Sequence, residues 1–126
     1  LDIWLKANLF LAKRRGDGMA VVLWNQTMEG KQKRGLQDVA AALRGEDLLV
    51  DMGRGQFLLL LPRTPQGGAD ILLGRIRERL GDLAMGVTIW DPETDDLQCR
   101  TALARSQRGL WENPDEIRWV LPERPA

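Results

Sequence analysis

Arginine is the residue type in this sequence best suited to a specific chemistry. Of the 18 basic residues, fourteen are Arg and four are Lys. A guanidinium group binds phosphate and the edge of guanine through paired, planar hydrogen bonds that an ammonium group cannot form. An Arg-x-x-Asp spacing, for which the composition predicts about one match by chance, occurs at Arg14 to Asp17, Arg44 to Asp47 and Arg79 to Asp82.

The residue types that are missing exclude several classes of enzyme. The chain has no His and no Tyr. Without His there is no Ser-His or Cys-His nucleophile pair, and nearly every kind of zinc site is excluded. The single cysteine, Cys99, cannot form an internal disulfide, which favours a reducing compartment such as the cytoplasm.

Length and charge predict one soluble domain without an electrostatic preference for nucleic acid. A chain of 126 residues is long enough for one core and too short for two. Its 18 acidic residues balance its 18 basic ones, so no net positive field attracts nucleic acid or an anionic membrane. No apolar run approaches the roughly 18–20 residues that a membrane span needs. Because the chain begins with Leu1, we expect residues 1–126 to be one domain of a longer protein.

Hydrophobic periodicity predicts alternating helices and strands. The predicted helices are Leu1 to Arg14, Lys33 to Arg44, Ala69 to Leu80 and Asp95 to Leu110. The predicted strands are Met19 to Trp24, Asp47 to Val50, Gln56 to Leu61, Leu83 to Trp90 and Ile117 to Leu121. Residues 1–15 are then a leading helix and residues 122–126 a tail. This order predicts an α/β (α+β) domain with a mixed central sheet covered by helices.

The predicted helices and strands place Arg44 and Asp47 at one corner of this fold. Gly53 and Gly55, between two apolar runs, predict the turn of a β-hairpin. Arg44 is predicted to end a helix and Asp47 to begin the first strand of the hairpin, so both side chains can extend from one corner. In the helix that follows the hairpin, the residues expected to face inward are Ile71, Leu72, Ile76 and Leu80.

The segment from Leu43 to Pro62, LRGEDLLVDMGRGQFLLLLP, resembles the GGDEF family, the diguanylate cyclase domains that make cyclic di-GMP from two GTP. In that family an RxxD motif precedes a strand, and a hairpin turn with the GG(D/E)EF signature leads into an apolar strand that ends in Pro. Here Arg44 to Asp47 stands at the RxxD position. Gly53 to Phe57 (GRGQF) stands at the signature. Ala84 to Thr88 is similar to the family's SIGVA strand and Ala102 to Gln107 to its ALYxAK helix, so the resemblance extends from about Gly18 to the end.

The groups that a cyclase needs are replaced at the matched positions. Active members have aspartates that bind Mg²⁺ at the end of the first strand, whereas residues 18–28 contain no carboxylate here. The two acids of the signature are replaced by Gly55 and Gln56, its second glycine by Arg54, and the phosphate-binding lysine of the last helix by Gln107. Phosphoryl transfer depends on Mg²⁺ and on positioned positive charge. The resemblance therefore implies a degenerate domain that is not an enzyme and holds no metal or cofactor.

The residues of a second site of the family, the inhibitory site that binds the product cyclic di-GMP, are present at the matched positions of this sequence. The resemblance implies that Arg44 and Asp47 bind this ligand, as an intercalated dimer, together with Arg75 at the family's downstream position and Arg79 as an additional candidate. Guanine offers O6 and N7 to an arginine, and its N1–H and N2–H₂ donors suit a carboxylate. The alternatives are an exposed ion pair between Arg44 and Asp47, and a solvated Arg75 that pairs with Glu78.

As a whole, the resemblance implies a catalytically inactive cyclic di-GMP receptor that signals to a neighbouring sensor domain or a protein partner. It is similar to degenerate receptors of the PelD and BcsE types, which regulate exopolysaccharide production and biofilm at the inner membrane. We therefore expect a cytoplasmic domain, or the cytoplasmic part of an inner-membrane protein, that does not itself enter the membrane. Two alternatives remain: a structural pseudo-cyclase that dimerises and binds no nucleotide, and Mg²⁺-dependent GTP binding at the hairpin.

Overall fold

The computed structural model shows a mixed α/β fold and describes residues 18–81, 83–91, 95, 100–112 and 117–122. The strands are β1 (Met19–Asn25), β2 (Leu48–Gly53), β3 (Gln56–Pro62), β4 (Met85–Trp90) and β5 (Ile117–Trp119). The helices are α1 (Gly30–Ala42), α2 (Gln66–Leu80) and α3 (Arg100–Glu112). Their order agrees with the predicted order. The predicted helix from Leu1 to Arg14 lies outside the described residues.

The five strands form one sheet in the order β2-β3-β1-β4-β5. The central strand β1 is antiparallel to both β3 and β4, β2 and β3 form the predicted hairpin, and β4 and β5 are parallel. Residues 19–24 of β1 are all buried, which explains their uninterrupted apolar sequence. The prediction of a mixed sheet with a hairpin is confirmed.

The two faces of the sheet are covered by different helices. On one face, alternate residues of β1 and β3 pack against α1 and α2, as Val22 and Leu59 do in one buried cluster with Val39 and Leu73. On the other face, the intervening residues such as Val21 pack with residues of α3. The core is therefore divided between two layers on either side of β1.

Helix α3 lies unusually close to the sheet at Gly86 of β4. A Cβ atom at Gly86 would overlap the carbonyl oxygen of Ser106 and lie 2.6 Å from the backbone nitrogen of Leu110. The hydroxyl of the buried Ser106 donates a hydrogen bond to the carbonyl of Val21, at 3.1 Å. Only glycine at this position permits so short a distance between helix and strand.

The structure corrects several details of the sequence prediction. Asp95 was predicted to begin the last helix but lies in a bend. Helix α1 ends at Ala42 rather than at Arg44, because the backbone of Leu43 is extended (φ −70°, ψ 148°) and places Arg44 in the turn beyond the helix. Ile71 was predicted to face inward but is 64% exposed. The buried face of α2 follows Ala69, Leu73, Ile76 and Leu80, and Ile71 lies about half a turn away from it.

Across the described ranges, no helix is both long and apolar enough to cross a membrane.

We expect Gly86→Ala to destabilise the domain by at least about 2 kcal/mol, because the added methyl group has to push α3 away from β4. Gly74→Ala is the matched control. Gly74 is exposed in the middle of α2 with open space around it, and alanine there should stabilise the helix by about 0.5–1 kcal/mol. Urea unfolding measures both changes. Equal stability of wild type and Gly86→Ala would contradict this account of the α3 contact.

Candidate ligand-binding site

Arg44 and Asp47 close the turn that joins α1 to β2. The backbone N–H of Asp47 donates to the carbonyl of Arg44 at 3.0 Å. The Asp47 carboxylate accepts three hydrogen bonds from Arg44: from its backbone N at 2.9 Å, from Nε at 3.2 Å and from Nη2 at 2.9 Å. The pair is thus a local unit in which the backbone and the side chain of the same arginine satisfy one carboxylate.

The two partners of this unit differ in exposure. The Asp47 side chain is 2% exposed and that of Arg44 is 49% exposed. The hydrogen bond to Asp47 raises the pKa of Arg44 above its ordinary value and outweighs the opposing effect of partial burial. Arg44 therefore stays charged at physiological pH and faces solvent, whereas the Asp47 carboxylate lies beneath it.

The end of β3 holds the same guanidinium from a second side. Nη2 of Arg44 donates to the carbonyl of Pro62 at 3.2 Å and to the hydroxyl of Thr64 at 2.8 Å. These contacts join residues that are 18 and 20 positions apart in the chain. As a result, Nε and Nη2 are committed to the protein, and Nη1 is the nitrogen that points away from these anchors.

A carboxylate lies against that remaining nitrogen. Nη1 of Arg44 is 3.1 Å from Oε1 of Glu46. The other oxygen of Glu46 pairs with Nη2 of Arg63, the residue that follows β3. Glu46 thus bridges two arginines whose side chains are both about half exposed. We call Arg44, Glu46, Asp47, Arg63 and Thr64 the arginine corner.

Next to the arginine corner, α1 and α2 border a cleft of about 490 Å³. The helices touch at Gly35, where a Cβ atom would lie 2.5 Å from the carbonyl oxygen of Arg79. The residues that border the cleft are Val39, Ala42 and Leu43 on one side and Leu72, Arg75, Ile76, Glu78 and Arg79 on the other. Since Leu43 directly precedes Arg44, the cleft and the arginine corner are neighbours.

Arg75 and Arg79 both border this cleft, but of these two arginines only Arg79 lies near a described carboxylate. Arg79 is 3.7 Å from the Asp38 carboxylate, and both side chains are more than half exposed. The side chain of Arg75 is exposed and forms no hydrogen bond or ion pair with any residue in the described part of the chain, so the predicted alternative pairing with Glu78 is not seen there. Arg75 therefore offers a whole guanidinium group to a ligand, beside the apolar side chains of Leu72 and Ile76.

The hairpin turn at the other end of β3 keeps the backbone expected of a glycine-rich signature. Gly53, Arg54 and Gly55 have φ values of 85°, 57° and 76°. The turn lies against the end of β1, where the backbone N–H of Gln26 donates to the carbonyl of Gly55 at 2.8 Å. This is the region in which the family resemblance would place a metal and a nucleotide.

At the end of β1 in that region, neutral side chains satisfy one another. The indole N–H of Trp24 donates to Oε1 of the buried Gln26 at 2.8 Å, and Nε2 of Gln26 donates to the carbonyls of Thr27 and Gln32. Oε1 of Gln32 accepts from the backbone N–H and the hydroxyl of Thr27. Trp24 also stacks on Phe57, with ring centroids 6.0 Å apart.

This set of donors and acceptors does not fit Mg²⁺, which is bound through carboxylates. Within the described ranges, no group of three His, Cys, Asp or Glu side chains is placed so that it could hold a metal ion.

The structure also shows an ion pair that the sequence analysis missed. Arg105 of α3 binds both carboxylate oxygens of Asp95, at 2.7 and 2.6 Å, and both side chains are largely buried. Arg105 further donates to the hydroxyl of Thr88 and the carbonyl of Ile89. All of its contacts are internal, so this arginine fastens α3 to β4 and is not a ligand-binding group. No local sequence pattern links two residues that are ten positions apart.

Comparison with known proteins rests on structure alone, since no family model and no curated protein sequence matches the chain. The GGDEF domain of DgcB from Caulobacter crescentus, solved with c-di-GMP, aligns with a TM-score of 0.73 at 13% identity over 94% of this chain and 86% of that one. An active GGEEF domain of a Vibrio cholerae diguanylate cyclase aligns with a TM-score of 0.71 at 15% identity, over 94% and 93%.

PelD from Pseudomonas aeruginosa aligns with a TM-score of 0.57 at 26% identity, over 80% of this chain and 40% of that one. The predicted fold class is confirmed: this chain has the fold of GGDEF domains.

We expect Arg44→Ala to lower the free energy of unfolding by about 1–3 kcal/mol, because it leaves the buried Asp47 carboxylate without its side-chain donors. Asp47→Ala and the double variant complete a cycle in which the double variant should lose less stability than the sum of the single losses. Arg54→Ala at the hairpin tip is the control and should change stability by less than about 0.5 kcal/mol. Additive losses would show that the pair contributes nothing beyond its separate residues.

Proposed function

We propose that this domain is a catalytically inactive receptor for cyclic di-GMP, which it binds at the arginine corner and the adjoining cleft. The observation that carries the proposal is the position of Arg75. Its side chain has no partner among the described residues, and it borders a cleft that is also bordered by Leu43, the residue before Arg44. An exposed arginine with no internal partner can form all of its hydrogen bonds with a ligand. The fold similarity to the c-di-GMP complex of DgcB supports the choice of ligand.

The two unequal arginines suit the two parts of a guanine nucleotide. Arg44 is held at Nε and Nη2, so it offers a fixed charge in one direction, as recognition of a phosphate requires. Arg75 is unrestrained and can lie along a guanine ring or bind its O6 and N7 atoms. Arg79 can join them at small cost, because its exposed contact with Asp38 is weak. An intercalated dimer of the ligand would present several phosphates and stacked purines to these three cations.

We assign Asp47 the role of positioning Arg44. In the structure its carboxylate already accepts three hydrogen bonds and is shielded from solvent. A guanine N–H group would have to displace Arg44 in order to reach it. Asp47 therefore acts on the ligand through the orientation and charge of Arg44.

The proposal of inactivity rests on the amide groups at the end of β1. Gln26 and Gln32 use their polar atoms on Trp24, Thr27 and the backbone, and they supply no negative charge for Mg²⁺. Without that ion, nothing neutralises the negative charge that develops on the phosphate oxygens during phosphoryl transfer. Ligand binding would instead shift the population of conformations of an attached domain or protein partner. We extend the proposal to regulation of exopolysaccharide production and biofilm from the cytoplasm, as the resemblance to PelD-type receptors implies.

We expect calorimetric titration to show cyclic di-GMP binding to the wild-type domain, and Arg75→Ala to weaken it about tenfold to hundredfold through loss of charge-assisted hydrogen bonds. Because Arg75 has no partner among the described residues, the variant should keep the wild-type thermal midpoint. Arg54→Ala removes the same charge at the far end of β3 and should bind normally. If the wild-type domain does not bind cyclic di-GMP, the proposal is contradicted. The alternative of a domain that dimerises and binds no nucleotide is then favoured, and analytical ultracentrifugation would test it.

We expect no turnover of GTP in the presence of Mg²⁺, and no shift of the thermal midpoint by GTP and Mg²⁺ beyond that caused by Mg²⁺ alone. The reason is that Gln26 and Gln32, beyond the end of β1, offer neutral amides where the ion would need carboxylates. Chromatography of the nucleotides after prolonged incubation measures turnover, with an active GGDEF domain as the positive control. Formation of cyclic di-GMP above the background without protein would refute inactivity.

A further inference from the structure

Glu46 occupies the position between two cations that an anionic ligand would be expected to take. Its two carboxylate oxygens each bind a different guanidinium, that of Arg44 and that of Arg63. A phosphodiester likewise presents two oxygens that share one negative charge, and arginines bind carboxylates and phosphates with the same planar geometry. Glu46 is therefore an internal counterpart of a phosphodiester at this point of the arginine corner.

Arg63 is placed there by an unusual backbone conformation. Its φ value is 54°, in the left-handed region that most side chains avoid, and it directly follows the last residue of β3. Its backbone N–H donates to the carbonyl of Gly18 at 3.2 Å. The resulting turn brings the Arg63 side chain beside Arg44 across Glu46.

The contacts of Glu46 are of a kind that a ligand can replace. The Glu46 side chain is 30% exposed, and both arginines that it pairs with are about half exposed. Exposed ion pairs are weak in water, and each changes an equilibrium by at most about fivefold. The anchors that hold Arg44 to Asp47, Pro62 and Thr64 do not involve Glu46, so they persist when Glu46 moves away.

We propose that Glu46 competes with the ligand's phosphodiester for Arg44 and Arg63, and that Arg63 is a further ligand-binding cation of the site. This inference rests on the proposed binding of cyclic di-GMP at the arginine corner. On binding, a phosphodiester of the ligand takes the place of the Glu46 carboxylate between the two guanidinium groups, and Glu46 turns into solvent. Glu46 then sets the concentration of messenger at which the receptor responds.

Two charge variants and two matched controls test the inference by titration with cyclic di-GMP. Glu46→Gln removes the competing charge and should tighten binding about three- to tenfold. Glu29→Gln removes an exposed charge at the opposite end of α1 and should leave the affinity within about twofold, as expected for a charge screened by the solvent.

Arg63→Gly removes the cation while relieving the left-handed backbone, so it should weaken binding about tenfold without lowering the thermal midpoint. Arg54→Gly makes the same change at a φ of 57° in the hairpin turn and should bind as the wild type does.

The outcomes separate this inference from the proposed function. If the wild type binds cyclic di-GMP but Glu46→Gln binds equally well or more weakly, Glu46 is not a competitor. If Arg63→Gly binds as tightly as the wild type, or if Arg54→Gly weakens binding as much, Arg63 is not a specific part of the site. Either result overturns the inference and leaves the receptor function standing. A wild-type domain that does not bind cyclic di-GMP refutes both.

Discussion

The arrangement of the candidate site depends on the hydrogen bonds that Asp47 and the end of β3 make to one guanidinium. Arg44 lies where the chain leaves α1, Asp47 where it enters β2, and Pro62 and Thr64 where it leaves β3. The charge at this corner is therefore fixed by three separate segments of backbone. A side chain held in this way loses little conformational entropy when it binds a ligand. This rigidity favours tight and selective binding over the ability to fit ligands of different shapes.

The polar side chains at the two ends of β3 are used in different ways. At the hairpin end, Gly55 and Gln56 stand at the positions of the signature acids, and the amides of Gln26 and Gln32 near the turn use their polar atoms within the protein. At the other end, charged side chains remain and several face solvent. Burial explains the difference, since a buried polar group has to find its partners inside the protein, whereas an exposed cation can exchange water for a ligand.

The sequence could predict the elements and the local pair, but not the contacts between distant segments. The apolar run from Met19 to Trp24 and the glycines of the hairpin were sufficient for β1 and for the β2–β3 turn. The second anchor of Arg44 depends on Pro62 and Thr64 at and just after the end of β3, and the Arg105–Asp95 pair depends on how α3 packs against β4. Periodicity also misplaced Ile71, because an apolar residue at a helical spacing can still face solvent. That Arg44, Arg75 and Arg79 bind a ligand, with Asp47 as part of the same site, stays a prediction.

The hairpin turn restricts the choice of residue at position 55. At Gly55, which stands in place of a signature acid, any side chain would begin 2.8 Å from the carbonyl oxygen of Gln26 and in a left-handed backbone conformation. An acidic side chain introduced there would meet the backbone of Gln26, just after β1, so this segment would have to move before the turn could carry one. The turn therefore ties the choice of residue at position 55 to the path of the chain where β1 ends.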